Sequence, residues 1–168
     1  MKPASRLMSL AVALAAALLA ACAHPPPAAG TAREAVLQQL GPPTARYALP
    51  AGAERLEYAT GPNGRTTWMI DLDAGGRVTQ ARQVLGEAEF LQVQIRAGRG
   101  ELTREALLRW IGTPGERRGG GWAGGEVWSW RYPTNDCLWF QVSVTDDGRV
   151  TSGAFATDPT CDAPSSRN

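Results

Sequence analysis

Arg33-Glu34-Ala35-Val36-Leu37-Gln38-Gln39-Leu40-Gly41-Pro42-Pro43 returns 71 residues later as Arg104-Glu105-Ala106-Leu107-Leu108-Arg109-Trp110-Ile111-Gly112-Thr113-Pro114. Each copy reads as a short amphipathic helix. Val36, Leu37 and Leu40 form one apolar stripe, and Leu107, Leu108 and Ile111 form the other. Glycine can take the left-handed conformation that ends a helix, and the proline two residues on prevents its continuation. Thr31 and Thr103 stand as the expected N-caps, and Glu34 follows Thr31 at capping-box spacing. Helices this short are marginal alone and must pack on something.

The strands after each helix are also repeated. In the first copy Leu56 and Tyr58 alternate on one face of a strand, Gly61 to Gly64 turns the chain, and Trp68, Ile70 and Leu72 alternate in the next strand. Asp73 to Gly76 makes a second turn, and a third strand runs from Arg77 to Val84. In the second copy Trp128, Trp130 and Tyr132 share a face, as do Leu138, Phe140, Val142 and Val144. Asp146-Asp147-Gly148 then turns the chain into a strand ending at Phe155. The offset holds at 71 or 72 residues from the helix to the last turn, which is the mark of internal duplication. The expected fold is α+β: two tandem units of a helix plus an antiparallel β-meander, residues 31–95 and 96–162. A lone helix on a small sheet buries little surface, so the units are expected to share one core. Glu87 to Gln94 reads equally as a short strand or a helical linker, broken by Gly98-Arg99-Gly100.

The chain opens with a different signal. Lys2 and Arg6 precede an apolar stretch from Ser9 to Ala21, the pattern of a secretory signal. It is short for a helix that must cross ~30 Å of hydrocarbon. It ends in Leu19-Ala20-Ala21-Cys22, which resembles a bacterial lipobox. That resemblance implies cleavage of residues 1–21, acylation of Cys22, and a permanent anchor of three acyl chains. Residue 23 is Ala and not Asp, which by the sorting logic of such lipoproteins favours the outer membrane. Residues 22–30 include Pro25-Pro26-Pro27 and read as a short extended tether. Residues 163–168 read as a frayed polar tail.

Cleavage would remove two of the 17 basic residues and none of the 16 acidic ones, leaving a net charge of −1. A near-neutral surface offers no electrostatic footprint for nucleic acid. Cys137 and Cys161 would be the remaining thiols, and in an exported protein the simplest expectation is a disulfide. The single histidine, His24, lies in the tether, so a Ser or Cys nucleophile in the folded part has no obvious base. Zinc would need three or four His or Cys ligands. Asp71 to Gly76 lacks the third acid of a calcium loop, with Arg82 where its bidentate Glu should stand, and reads as a hairpin turn. Gly119 to Gly125 has no Lys-Ser/Thr step for cradling phosphate. No enzyme, metal or cofactor is expected.

The order lipobox, helix-Leu-Gly-x-Pro, aromatic-rich strand and Gly-Arg-Val hairpin resembles the BamE/SmpA/OmlA family of small outer-membrane lipoproteins. The residues that carry it are Glu34 to Pro43 with Leu56 to Val78, and Glu105 to Pro114 with Trp128 to Val150. The tandem arrangement is also similar to that of the β-lactamase inhibitory protein. The family resemblance implies a non-enzymatic protein-binding role in envelope maintenance or in assembly of β-barrel outer-membrane proteins, facing the periplasm. The inhibitor resemblance implies instead a periplasmic enzyme inhibitor using a concave sheet. This chain departs from the family's Gln-Gly step after the lipidated cysteine, where the prolines stand. Its Gly-Met-Thr before the helix is altered to Gly30-Thr31 and to Gly100-Glu101-Leu102-Thr103.

Five of the six tryptophans, Trp110, Trp122, Trp128, Trp130 and Trp139, lie in the second unit. Trp122, Trp128, Trp130 and Trp139 are the candidate partner-binding residues, since tryptophan is enriched where interfaces concentrate their energy. Core filling would account for Trp128 or Trp130. Trp122, in a glycine-rich loop, is the best exposed anchor, and alternation puts Trp139 on the opposite face from Leu138 and Phe140.

Overall fold

The computed structural model describes residues 26–61, 64–120, 124–132, 137–158 and 161. The signal sequence, Cys22, Trp122 and the tail lie outside the described residues. The order is α1 (Arg33–Leu40), β1 (Ala45–Ala48), β2 (Glu54–Ala59), β3 (Thr67–Leu72), β4 (Val78–Gln83), α2 (Glu87–Gly98), α3 (Arg104–Ile111), β5 (Glu116–Gly119), β6 (Glu126–Arg131), β7 (Leu138–Val144) and β8 (Val150–Thr157). The strands make two separate four-stranded antiparallel meanders, β1-β2-β3-β4 and β5-β6-β7-β8. The fold is therefore α+β with two tandem helix-plus-meander units.

The duplication extends into the backbone. Both sheets carry a register shift at the same repeat position, between Asp71 and Leu72 in one and Ser143 and Val144 in the other. The turn after each shift is tied to the start of its own helix. The Arg33 amide donates to the Gly76 carbonyl and the Arg104 amide to the Gly148 carbonyl, both at 2.8 Å. The first N–H groups of a helix have no partner within it, and here a turn carbonyl takes one in each unit. This explains why the Gly-Arg-Val turn travels with the helix. Thr103 caps α3 as expected, its hydroxyl accepting from the Ala106 amide at 3.2 Å. Thr31 does not cap α1; the N-cap is Ala32, which makes no side-chain cap bond. The Thr31 carbonyl instead accepts from the Val78 amide at 2.9 Å, and the Gly30 amide donates to the Val78 carbonyl at 2.7 Å. The end of the expected tether is thus sewn to β4.

Both helices end as read. The Gly41 amide bonds to Leu37 and the Gly112 amide to Leu108, each at 2.9 Å. Each sheet has one more strand than its alternation suggested, because β1 and β5 are short and mostly polar.

Residues 87–98 settle as helix, with Glu87 and Glu89 in the first turn, where the helix dipole favours acids. Phe90, Val93 and Ala97 are its buried stripe. They join Leu107, Ile111, Trp128, Trp130, Phe140, Val142, Val144 and Val150 in the second core. The helix therefore runs across residues 95 and 96, where the sequence reading puts the border between units, and packs with the second. Val36, Leu56, Ile70, Leu72 and Val78 form the first core. The expected single core is thus corrected to two, and the helix-free face of the first sheet lies between them. The layers stack as α1, first sheet, α2 with α3, second sheet.

Candidate functional site

The junction between the units is built around polar side chains. Glu57 on β2 points away from α1, in register with Met69, and is fully buried although it is an acid. Its two oxygens are used. The Tyr47 hydroxyl donates to Oε2 at 2.6 Å, and the Thr113 amide donates to Oε1 at 2.8 Å. Thr113 comes directly after the helix-ending Gly112, so the carboxylate satisfies a backbone N–H just beyond the end of α3. Beside it, Arg55 holds Asp71 through paired bonds of 2.6 and 2.7 Å and donates to the Arg109 carbonyl at 2.7 Å. A buried carboxylate without such partners would cost far more than it returns.

Burial, and then the hydrogen bond and charge of Glu57, push the Tyr47 phenol well above its ordinary value of 10.0. An unfolded tyrosine would lose its proton near that value while the native one keeps it. The unfolded state then binds fewer protons, so stability falls as pH rises above ~10. In Tyr47→Phe this component disappears. Between about pH 9 and about pH 11 the unfolding free energy of the variant, measured with urea, should fall less than that of the unchanged chain, by a fraction of the ~1.4 kcal/mol per pH unit that one group can contribute.

The tryptophans fall differently from the reading of them as surface anchors. Trp128 and Trp130 are buried in the second core, because both α2 and α3 cover that face of the sheet. The Trp130 indole donates to the Gly112 carbonyl at 3.2 Å. Trp139 is on the opposite face, as alternation required, yet it is also buried. Its cover is local: the guanidinium carbon of Arg131 lies 5.2 Å and that of Arg118 5.9 Å from the ring centre. Arg131 is itself fixed by an ion pair with the buried Asp158. These three are therefore corrected from interface anchors to core or covered residues. Cys137 and Cys161 are bonded, with Cα atoms 5.6 Å apart, and the Asp158 amide donates to the Cys137 carbonyl at 2.8 Å.

The apolar surface lies elsewhere. Among the described residues, the large hydrophobic side chains that stay exposed are Leu91 (52%), Phe155 (42%) and Ile95 (37%). Leu91 and Ile95 are one turn apart on α2. Between them Gln94 lies directly over Gly153 of β8, where an added Cβ would stand 3.2 Å from its Cγ and 3.4 Å from its Cα. Glycine permits this crossing, and the Gln94 amide donates to the Gly153 carbonyl at 3.1 Å. Phe155 is two residues further on the same face, its ring centre 6.1 Å from Phe90 and 5.5 Å from Tyr132. The three apolar groups thus line one seam, where α2 crosses an edge strand. That strand, Val150-Thr151-Ser152-Gly153-Ala154-Phe155-Ala156-Thr157, carries no charge. Edge strands are ordinarily guarded by charges or proline. Sequence reasoning missed this seam because Leu91 and Ile95 look like part of a helix core until the buried stripe is known.

Among the described residues no group of three His, Cys, Asp or Glu side chains is placed to hold a metal ion. Nor is any helix among them long and apolar enough to cross a membrane. No protein-family model and no curated protein matches the chain. Among solved structures, a DUF4309 family protein from Bacillus subtilis is similar at 10% identity and a TM-score of 0.32, over 76% of this chain and 79% of that one, a likeness too slight to carry an argument.

Proposed function

We propose that the mature chain is a non-enzymatic lipoprotein, held in the outer membrane by acylated Cys22 and facing the periplasm. In this reading it is a protein-binding module in envelope maintenance or in the assembly of β-barrel outer-membrane proteins, as its BamE-like repeat implies. The lipobox-like end of the signal supports the anchor, and the absence of a histidine from the folded repeats supports a binding role over hydrolysis. The observation that carries the binding role is the seam of Leu91, Ile95 and Phe155 along an uncharged edge strand. Contiguous exposed apolar groups on a small domain mark a partner's footprint, and an edge strand offers main-chain pairing besides.

A photo-crosslinking residue placed at Leu91 in the full chain, with the envelope intact, tests this. Capture of outer-membrane assembly subunits is expected. With the crosslinker at Leu91, the further change Ile95→Gln, at an exposed helix position outside the buried stripe, should reduce capture about tenfold, the equivalent of ~1.4 kcal/mol, with the melting temperature little changed. Capture of a single soluble hydrolase would replace the assembly role by that of an inhibitor. Equal capture in the variant would remove the seam as the site. Metabolic labelling with a palmitate analogue, lost in Cys22→Ala, tests the anchor separately.

A further inference from the structure

On the far side of the junction a cleft of about 280 Å³ opens between the units, lined by Arg55, Arg82, Arg96, Arg109, Leu102, Ala106 and Trp110. Four guanidiniums meet there in a chain with only 17 basic residues and an almost balanced charge, and no acid among the described residues lines the cleft. The convergence is built by the fold. Arg55 and Arg82 come from the helix-free face of the first sheet, Arg82 in register with Met69. Arg96 comes from α2 and Arg109 from α3.

The carboxylates on that face of the first sheet are already committed: Asp71 to Arg55, and Glu57 to Tyr47 and Thr113. Arg55 is locked in place by Asp71 and by the Arg109 carbonyl. Arg96 sits over the indole, its guanidinium carbon 4.8 Å from the Trp110 ring centre. Arg82 and Arg109 make no ion pair among the described residues. The cleft thus holds two unpaired forks, one on each unit, backed by two fixed ones and walled on one side by Trp110, Leu102 and Ala106.

We propose that this cleft binds an acidic peptide segment of a protein partner, with two carboxylate side chains flanking an apolar one. The guanidinium fork matches a carboxylate through two parallel bonds. One carboxylate is taken by Arg82 and the other by Arg109, while the apolar side chain rests on Trp110 and Ala106. The volume lies near the lower end of the ~300–1,000 Å³ typical of ligand sites, enough for a few side chains and too small for a folded domain. The apolar wall favours a peptide over a bare oxyanion, which would leave Trp110 unused. Because the two forks belong to different units, the bound segment also braces one unit against the other. The site is distinct from the α2–β8 seam, so either can fail without the other.

The test uses the full chain in detergent micelles and fluorescence anisotropy of a labelled peptide, acetyl-Glu-Phe-Glu-Glu-Phe-Glu-amide. Its glutamine counterpart, inorganic phosphate, and nanodiscs of phosphatidylglycerol or phosphatidylcholine are the other probes. The acidic peptide is expected to bind and its glutamine counterpart not to. Affinity should fall at least about tenfold in Arg82→Gln/Arg109→Gln, and fall again as salt rises from about 50 mM to about 500 mM and the Debye length shrinks. Arg82→Lys/Arg109→Lys keeps the charge and loses the fork, and an intermediate affinity is expected; it also stands in should the glutamine variant fail to fold. Peptide binding that is unchanged in the double variants overturns the proposal, as does no binding of any probe. Arginine-dependent binding of phosphate or of phosphatidylglycerol nanodiscs, without binding of the peptide, also overturns it and assigns the cleft to a phosphate group.

Discussion

Gly112→Ala is expected to lower the unfolding free energy by about 4 kcal/mol, roughly twice the effect of Gly41→Ala, although the two glycines end equivalent helices. The backbone is nearly the same at both: φ 77 and ψ −162 at Gly41, φ 82 and ψ −170 at Gly112. That region is accessible essentially to glycine alone, and a side chain placed there costs ~1–3 kcal/mol in strain. At Gly41 the cost stops there, because nothing lies within 4 Å of an added Cβ. At Gly112 the same Cβ would stand 2.8 Å from Thr67 Cγ2 and 3.0 Å from Glu57 Cδ and Oε1. Both neighbours are buried and bound to the first sheet, so neither can move aside, and overpacking adds a further ~1–3 kcal/mol. Urea unfolding of the two variants separates the contributions. The Gly41 variant reports strain alone, and the excess at Gly112 reports how tightly α3 sits on the first sheet. Equal losses at the two positions would mean that the junction is loose enough to absorb a methyl group.

That pair also shows how far the sequence could be read. A helix stop and a hairpin turn both demand positive φ, and only glycine meets the demand cheaply, so Gly41, Gly112, Gly76 and Gly148 announce the repeat locally. Alternation likewise placed Trp139 on the face opposite Phe140. What stayed hidden depends on residues distant in the chain. Glu57 looks like any outward polar residue of an alternating strand, and its burial comes from Thr113, 56 residues on. The cover over Trp139 is made of arginine side chains, whose stems can lie along apolar surface while the heads stay wet, a use that composition does not reveal. The helix at 87–98 was ambiguous because the window from Glu87 to Gln94 holds only part of its buried stripe; Ala97 completes the period. Strands β1 and β5 carried too little apolar alternation to be seen, since they are edges that add hydrogen bonds more than core.

Glu57→Ala should cost about 4 kcal/mol, and Glu57→Gln about half of that. Alanine leaves the Tyr47 hydroxyl and the Thr113 amide facing a void, and each unmet donor costs ~1–3 kcal/mol. Glutamine keeps the shape: its oxygen can still accept from the Thr113 amide and its nitrogen can donate to the Tyr47 oxygen, but both bonds lose the strength that the carboxylate charge gives them. In a Tyr47→Phe background the alanine change should cost less, because one orphan has already been removed; the difference is their coupling energy. The loss also falls unevenly between the units. Among the described residues the first core is Val36, Leu56, Ile70, Leu72 and Val78 with Leu40, Tyr58 and Ala81 packed against them, whereas the second gathers two helices and several aromatic rings. The first sheet buries Met69 and Thr67 on its helix-free face, the side from which Gly112 and Thr113 meet it. With Glu57 intact the chain should therefore unfold in one step. With alanine there, the first unit should melt ahead of the second, as a split urea transition in which the Trp68 environment changes before that of Trp128 and Trp130. A single sharp transition in Glu57→Ala would mean that the units are held together by something other than this carboxylate.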